Sequence, residues 1–216
     1  MAEQGNAKWS LGQVASEVLA ADGTAYLLVQ VGNPATEQRV VAVDLQTGKE
    51  RWSVPHTKFS PKAGLQLGVA GCGVLVVAQH AAKAVSILSA DDGKVLWEIK
   101  PAGGFWTPLV DGLLWHGNKM YDPKTGELKG TLPMAVNSGG CTPAAIVGNY
   151  VTASRGSAYM EMTVSEDGKR NGVTRIRYGA TRGACIEGAT PANGMFYTGQ
   201  NFCRCAPGQV PGFVAF

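Results

Sequence analysis

The residues of this chain best equipped for chemistry lie in its last third. Cys141, Cys185, Cys203 and Cys205 form an even set there, with Arg182 just ahead of the second. Cysteines at i and i+2 on a strand share a face, with Cα atoms about 6.5–7 Å apart. That exceeds comfortable disulfide reach, so Cys203 and Cys205 each need a separate partner, and Cys141 and Cys185 are available. Three chemistries stay open: two disulfides in an exported protein, packed free thiols, or a four-thiolate metal site. Closely spaced cysteine pairs of the zinc type are absent, which weighs against the metal. Arg182 is the residue expected to face a ligand, with an ion pair to Glu187 or Asp167 as the alternative. Asn193 and Tyr197 are further candidate ligand-binding positions. Asn193-Gly194 also reads as a type I′ turn leading into Met195-Phe196-Tyr197. Cys72 stands apart, in a stretch from Gly64 to Ala90 whose sole charge is Lys83. It reads as a packed small residue of the most buried unit.

Other reactive constellations are not supported. Asn137-Ser138-Gly139-Gly140 looks superficially like a serine nucleophile loop, but His56, His80 and His116 have no companion acid motif. His116, after Trp115, reads as a solvent-side or core histidine. No His/Asp/Glu cluster has metal spacing and no glycine-rich phosphate loop opens a helix. The expectation is therefore no catalytic residue and no metal. A net charge of +3, scattered along the chain, gives no reason to expect nucleic acid. Apolar runs such as Val74 to Ala78 are far below spanning length. Met1 to Gly12 carries no charged segment followed by an apolar one, so no signal peptide is read there.

The elements that position these residues are short strands. Val40 to Leu45 are mostly β-formers, Gln46 to Lys49 carry a turn, and Arg51-Trp52-Ser53-Val54 resume an extended pattern. This hairpin returns. From Gly48 to Gly93, a shift of 45 residues, the chain reads Ile87, Ser89, Asp92, Gly93 and Trp97 at the places of Ala42, Asp44, Thr47, Gly48 and Trp52. From Gly48 to Gly126, a shift of 78, it reads Met120, Asp122, Thr125 and Gly126, with Gly130 in place of the Trp. Asp167-Gly168 is a weaker copy. Ahead of each copy runs a glycine followed by apolar residues, as in Gly23 to Val29, Gly73 to Val77 and Gly112 to Trp115. Units of roughly 40 residues holding several short strands are the mark of β-propeller blades. One unit cannot bury its own apolar face, so units must stack sideways.

The pattern Ala-x-Asp-x-x-Thr-Gly-x-x-x-Trp, complete from Ala42 to Trp52, resembles the blade repeat of pyrroloquinoline-quinone-type (quinoprotein-like) propellers. The resemblance implies that each Trp docks between neighbouring blades. Ala42, Asp44, Thr47, Gly48, Trp52, Gly93, Trp97, Asp122, Thr125 and Gly126 are then the blade-docking residues. The run Arg182-Gly183-Ala184-Cys185, Pro191-Ala192-Asn193-Gly194, Cys203-Arg204-Cys205 and Gly212-Phe213 resembles a group of these propellers from planctomycete-type bacteria. Relatives carry His and Arg before the first cysteine, where this chain has Gly139-Gly140-Cys141. Quinoprotein dehydrogenases of the family carry adjacent cysteines, a Trp floor, and acidic and Asn ligands for calcium. None of these sets is complete here, so no cofactor is assigned. Pyrroloquinoline quinone with calcium is left to a complete protein.

These readings converge on an all-β, quinoprotein-like propeller spanning residues 1–216, with an incomplete ring of about four to five four-stranded blades. Hairpins are expected near 40–54, 85–99 and 119–132, and a Cys-rich blade region over 139–216. Gly212 to Phe216 reads as the opening of another repeat, and so as a piece of a longer propeller supplying the remaining blades. The expected role is a rigid platform for a protein or small-molecule ligand, with a periplasmic, extracellular or cell-envelope location. A quinone- and calcium-dependent alcohol or sugar dehydrogenase is the enzymatic alternative. A scaffold resembling the propeller lipoproteins of outer-membrane assembly is the third.

Overall fold

The computed structural model describes residues 9–32, 37–58, 64–102, 106–132, 146–147, 149–153, 158–164, 170–177, 189–192, 195–198 and 214–215. Cys141, Cys185, Cys203, Cys205, Arg182 and Asn193 lie outside these residues. The chain divides into two compact units, Met1–Phe105 with Pro123–Gly126, and Trp106–Asp122 with Glu127–Phe216.

The first unit holds two antiparallel four-stranded sheets, each a simple meander in chain order. Blade 1 runs β1 (Ala15–Ala21), β2 (Thr24–Val31), β3 (Glu37–Asp44) and β4 (Glu50–Pro55), followed by a 3-10 turn at His56–Lys58. Blade 2 runs β5 (Leu65–Gly71), β6 (Val74–Gln79), β7 (Ala84–Ser89) and β8 (Val95–Ile99). Every side chain of β6 is buried, and so are those of β7 but for Ser89. Strands covered on both faces need a continuous apolar run, and Val74 to Ala78 supplies one. Alternation along β2 and β3 sorts blade 1 into two cores. Tyr26, Leu28, Val40, Ala42 and Trp52 pack with Leu65, Leu67, Leu75, Val77 and Leu88 of blade 2. Ala25, Leu27, Val29, Val41 and Val43 face the other way, covered in part by Trp9, Leu11, Ala15 and Leu45.

The second unit carries blade 3, with β9 (Leu109–Val110), β10 (Leu113–His116), β11 (Lys119–Tyr121) and β12 (Leu128–Thr131). Blade 4 has β13 (Ile146–Val147), β14 (Tyr150–Ala153), β15 (Ala158–Val164) and β16 (Arg170–Arg177). A three-stranded sheet follows, with β17 (Ala189–Ala192), β18 (Met195–Thr198) and β19 (Val214–Ala215). The all-β architecture of four-stranded antiparallel blades is the fold class expected from the repeats.

Cys72 corrects one expectation. It is exposed, not packed. It occupies the turn between β5 and β6 at φ +53°, the left-handed position that Asp22 and Asp111 hold in the corresponding turns of blades 1 and 3. Sparse charge marked the strands of blade 2 as buried but carried no information about their turn. A two-residue hairpin loop puts its tip in solvent whatever the strands beside it do.

Candidate functional site

The candidate site is structural: an indole seated on the turn of another hairpin, repeated along the chain. The Asp44 turn shows how the seat is built. Asp44 Oδ1 accepts the Gln46 N–H at 3.0 Å, the Thr47 N–H at 2.9 Å and the Thr47 hydroxyl at 3.0 Å. Its other oxygen takes the Arg51 guanidinium at 2.6 Å. These donors, led by Arg51, hold the Asp44 carboxyl well below the usual carboxylate range. The backbone closes with Gly48 N–H on Asp44 C=O at 2.8 Å and Asp44 N–H on Lys49 C=O at 2.9 Å. The second copy repeats this closure, Gly93 to Ser89 at 3.0 Å and Ser89 to Lys94 at 2.8 Å, with Ser89 in place of Asp. There Asp92 takes the carboxylate role and is held down to about 2, chiefly by Lys94.

The strands then aim the indole. In β3–β4, Ala42 pairs with Trp52 and the register shifts between Ala42 and Val43. In β7–β8, Ile87 pairs with Trp97 and the shift falls between Ile87 and Leu88. In β11–β12, Met120 pairs with Gly130 and the shift falls between Met120 and Tyr121. A bulge at one fixed place re-aims the opposing side chain. The seats are equivalent too. Trp52 Nε1 donates to Ala90 C=O at 2.8 Å, and Trp97 Nε1 to Pro123 C=O at 2.9 Å. Each acceptor lies three residues before the turn glycine that the ring covers. A methyl group at Gly93 would lie 2.7 Å from Trp52 Cε3, and one at Gly126 would lie 2.7 Å from Trp97 Cδ2. Trp52 is 8% exposed and meets Tyr26 at a ring-centroid distance of 6.0 Å.

A third instance is built by a residue the repeat reading passed over. Trp9 Nε1 donates to Leu45 C=O at 3.0 Å, and its Cγ would lie 2.5 Å from a methyl group at Gly48. The signal was present in the sequence. Gly5-x-x-x-Trp9 has the spacing of Gly48-x-x-x-Trp52 and Gly93-x-x-x-Trp97. Gly130, which stands where the next Trp would be, is backed by Met120, whose Cε would lie 2.7 Å from an added methyl group.

Of the other singled-out residues, Tyr197 lies on β18 opposite Thr190 and is 38% exposed. Asp122 closes its turn by donating its N–H to Glu127 C=O at 2.9 Å. His116 is buried, within 3.4 Å of the Thr107 hydroxyl, and burial pushes its imidazole pKa down. His80 is exposed and bonds Gln66 at 2.9 Å. Among the described residues no group of His, Cys, Asp or Glu could hold a metal ion, and no helix is long and apolar enough to cross a membrane.

A polar cluster escaped the sequence reading altogether. Gln79 and Ser86, both fully buried in blade 2, donate to Glu98 Oε1 at 3.3 and 2.7 Å, and Gln79 also bonds Ser86. Lys100 Nζ grips the outer carboxylate oxygen at 2.6 Å. Burial raises the Glu98 pKa, but the bonds from Lys100, Ser86 and Gln79 outweigh it and leave it lowered.

Comparison with known proteins points to the same repeat. Residues 36–121 match the family model described as outer membrane protein assembly factor BamB. No curated protein sequence matches the chain. Among solved structures, BamB from Moraxella catarrhalis superposes with a TM-score of 0.52 at 16% identity, over 90% of this chain and 57% of that one. A quinohemoprotein alcohol dehydrogenase from Pseudomonas putida HK5 gives a TM-score of 0.48 at 13% identity, over 88% of this chain and 40% of that one. The chain thus spans a little over half the length of the BamB structure it matches. The chain carries BamB-like repeats over residues 36–121 and shares the fold of BamB-type propellers.

Proposed function

We propose that this chain is a propeller segment whose docked blades form a rigid binding platform in an exported, cell-envelope protein, in a context akin to outer-membrane protein assembly. The observation that carries the reading is the seat repeated at Trp9, Trp52 and Trp97. Trp52 and Trp97 each tie a hairpin, and Trp9 the segment ahead of β1, to the turn of another hairpin by a hydrogen bond and close ring packing. The description of the matching family supports the assembly context. On this reading residues 1–216 form one partial propeller, and Ala42, Asp44, Thr47, Gly48 and their counterparts are blade-docking residues. Cys141, Cys185, Cys203 and Cys205 form two disulfides on this reading, as their even number and spacing suggest. A fold with this much structural repetition carries no redox chemistry by itself.

The binding edge on this reading is β8. Outer strand β4 presents Glu50 and Arg51 to solvent, but β8 presents Val95 and Leu96 at 37% and 43% exposure. Apolar side chains on an outer strand favour added strands and apolar partners. Calorimetric titration of the chain with pyrroloquinoline quinone and calcium, run beside a dye-linked dehydrogenase assay, tests the reading. No stoichiometric uptake is expected, and a photo-crosslinker at Leu96 should capture an envelope protein that one at Arg51 does not. Stoichiometric quinone with dehydrogenase activity would overturn it.

A further inference from the structure

Trp52 and Trp97 reach their seats from the outer strands β4 and β8, whose ladders to β3 and β7 hold them in place. Trp9 reaches the same kind of seat without a ladder. Residues 9–14 lie in no strand, and β1 begins only at Ala15. Their described hydrogen bonds are Trp9 Nε1 onto Leu45 C=O and, at 3.5 Å, the Gln30 N–H onto Val14 C=O. Trp9 and Leu11 pack on the blade 1 core of Leu27, Val41 and Val43, while Val14 is 79% exposed. A segment with so few bonds and apolar contacts opens locally, at much less cost than global unfolding.

The seat beneath the ring holds its shape without Trp9. Asp44, Thr47 and Arg51 close the turn among themselves, and the Gly48 N–H closes it again on Asp44 C=O. Leu45, whose carbonyl takes the indole, is fixed by its own N–H on Gly23 C=O at 3.0 Å. None of these bonds uses Trp9. The surface is therefore preformed, with one carbonyl for an indole N–H and a glycine whose missing side chain leaves room for the ring. The two other seats show what such a surface accepts. Gly48-x-x-x-Trp52 fills the seat at Gly93, and Gly93-x-x-x-Trp97 fills the seat at Gly126.

We propose that the Gly48 turn is an exchangeable docking site, and that Trp9 is a strap which a Trp-ended strand of a partner protein displaces. The proposal rests on the binding-platform reading and names the chemistry of its partner. That partner carries an extended segment with Trp four residues after Gly, and it donates the indole N–H to Leu45 C=O. The strap competes for the seat. A seat open for about 10% of the time or less weakens the partner's binding about tenfold or more. Neither Val95 nor Leu96 takes part, so this site and the β8 edge stand or fall separately.

A peptide copying residues 48–54, titrated into the nitrogen-15-labelled full chain, tests the seat. In Trp9→Ala the peptide should move the Gln46 and Gly48 amide signals to saturation, at a concentration about tenfold or more below that needed with the natural chain. Phe in place of the peptide's Trp removes the donor and should weaken binding about fivefold, as for one net hydrogen bond. In the natural chain the Trp9 indole N–H should exchange with deuterium about tenfold or more faster than that of Trp52. A folded Trp9→Ala chain whose Gln46 and Gly48 signals ignore the peptide would overturn the proposal. So would a Trp9 indole N–H as slow as that of Trp52, a result that needs no variant. Dimers of the natural chain formed by exchange of Trp9 between copies would overturn the assignment to a partner protein.

Discussion

A methyl group added at Gly93 separates backbone strain from interblade contact, because Gly23 provides the matched control. Both residues sit in turns with φ close to +70°, at +71° and +72°. At Gly23 nothing lies within 4 Å of an added Cβ. At Gly93 the Cβ would meet Trp52 Cε3 at 2.7 Å and Val54 Cγ2 at 2.8 Å. Gly23→Ala should therefore cost only the left-handed strain, about 1–2 kcal/mol. Gly93→Ala adds the displacement of a buried indole and a valine, which overpacking data place at about 1–3 kcal/mol. Its total is about 2–5 kcal/mol. Urea unfolding followed by tryptophan fluorescence would read each loss as a lower midpoint at unchanged slope. Equal losses at the two positions would refute the idea that the indole presses on the turn.

Cys72 is expected to react with a thiol reagent in the folded chain, and Cys72→Asn should leave stability unchanged or raise it by a few tenths of a kcal/mol, since Asn tolerates the left-handed region. Slow labelling, or a clear loss of stability, would count against an exposed turn. Glu98 gives a pH dependence. Its folded pKa lies below the ordinary 4.5, so its contribution is whole above about that pH and fades as pH falls through the lower folded value. The gap in unfolding midpoint between the natural chain and Glu98→Gln should thus narrow as pH falls below about 4.5. A constant gap would mean the charge is not what matters.

The all-β class was legible because the hairpin of Ala42 to Trp52 returns from Ile87 to Trp97 with its turn glycine and its Trp kept. The acceptors of the seat were not. Leu45, Ala90 and Pro123 share no side-chain chemistry, since only their carbonyls are used. Trp9 escaped for a related reason: it carries only the second half of the repeat, and the search began from the turn. The Gln79–Ser86–Glu98 cluster breaks an otherwise apolar face. Local patterning cannot reveal that three polar residues from three strands meet. Asp22-Gly23 and Asp111-Gly112 were visible hairpin signals, and comparing Cys72-Gly73 with them would have placed Cys72 in solvent.

A double-mutant cycle between Trp52 and Gly93 probes the seated indole most directly. Trp52→Ala alone should cost about 3–5 kcal/mol, as for other buried Trp. Gly93→Ala should then lose most of its packing penalty in the Trp52→Ala background, leaving a coupling of about 1–3 kcal/mol. Effects that simply add, within about 0.5 kcal/mol, would mean the ring and the turn do not bear on each other.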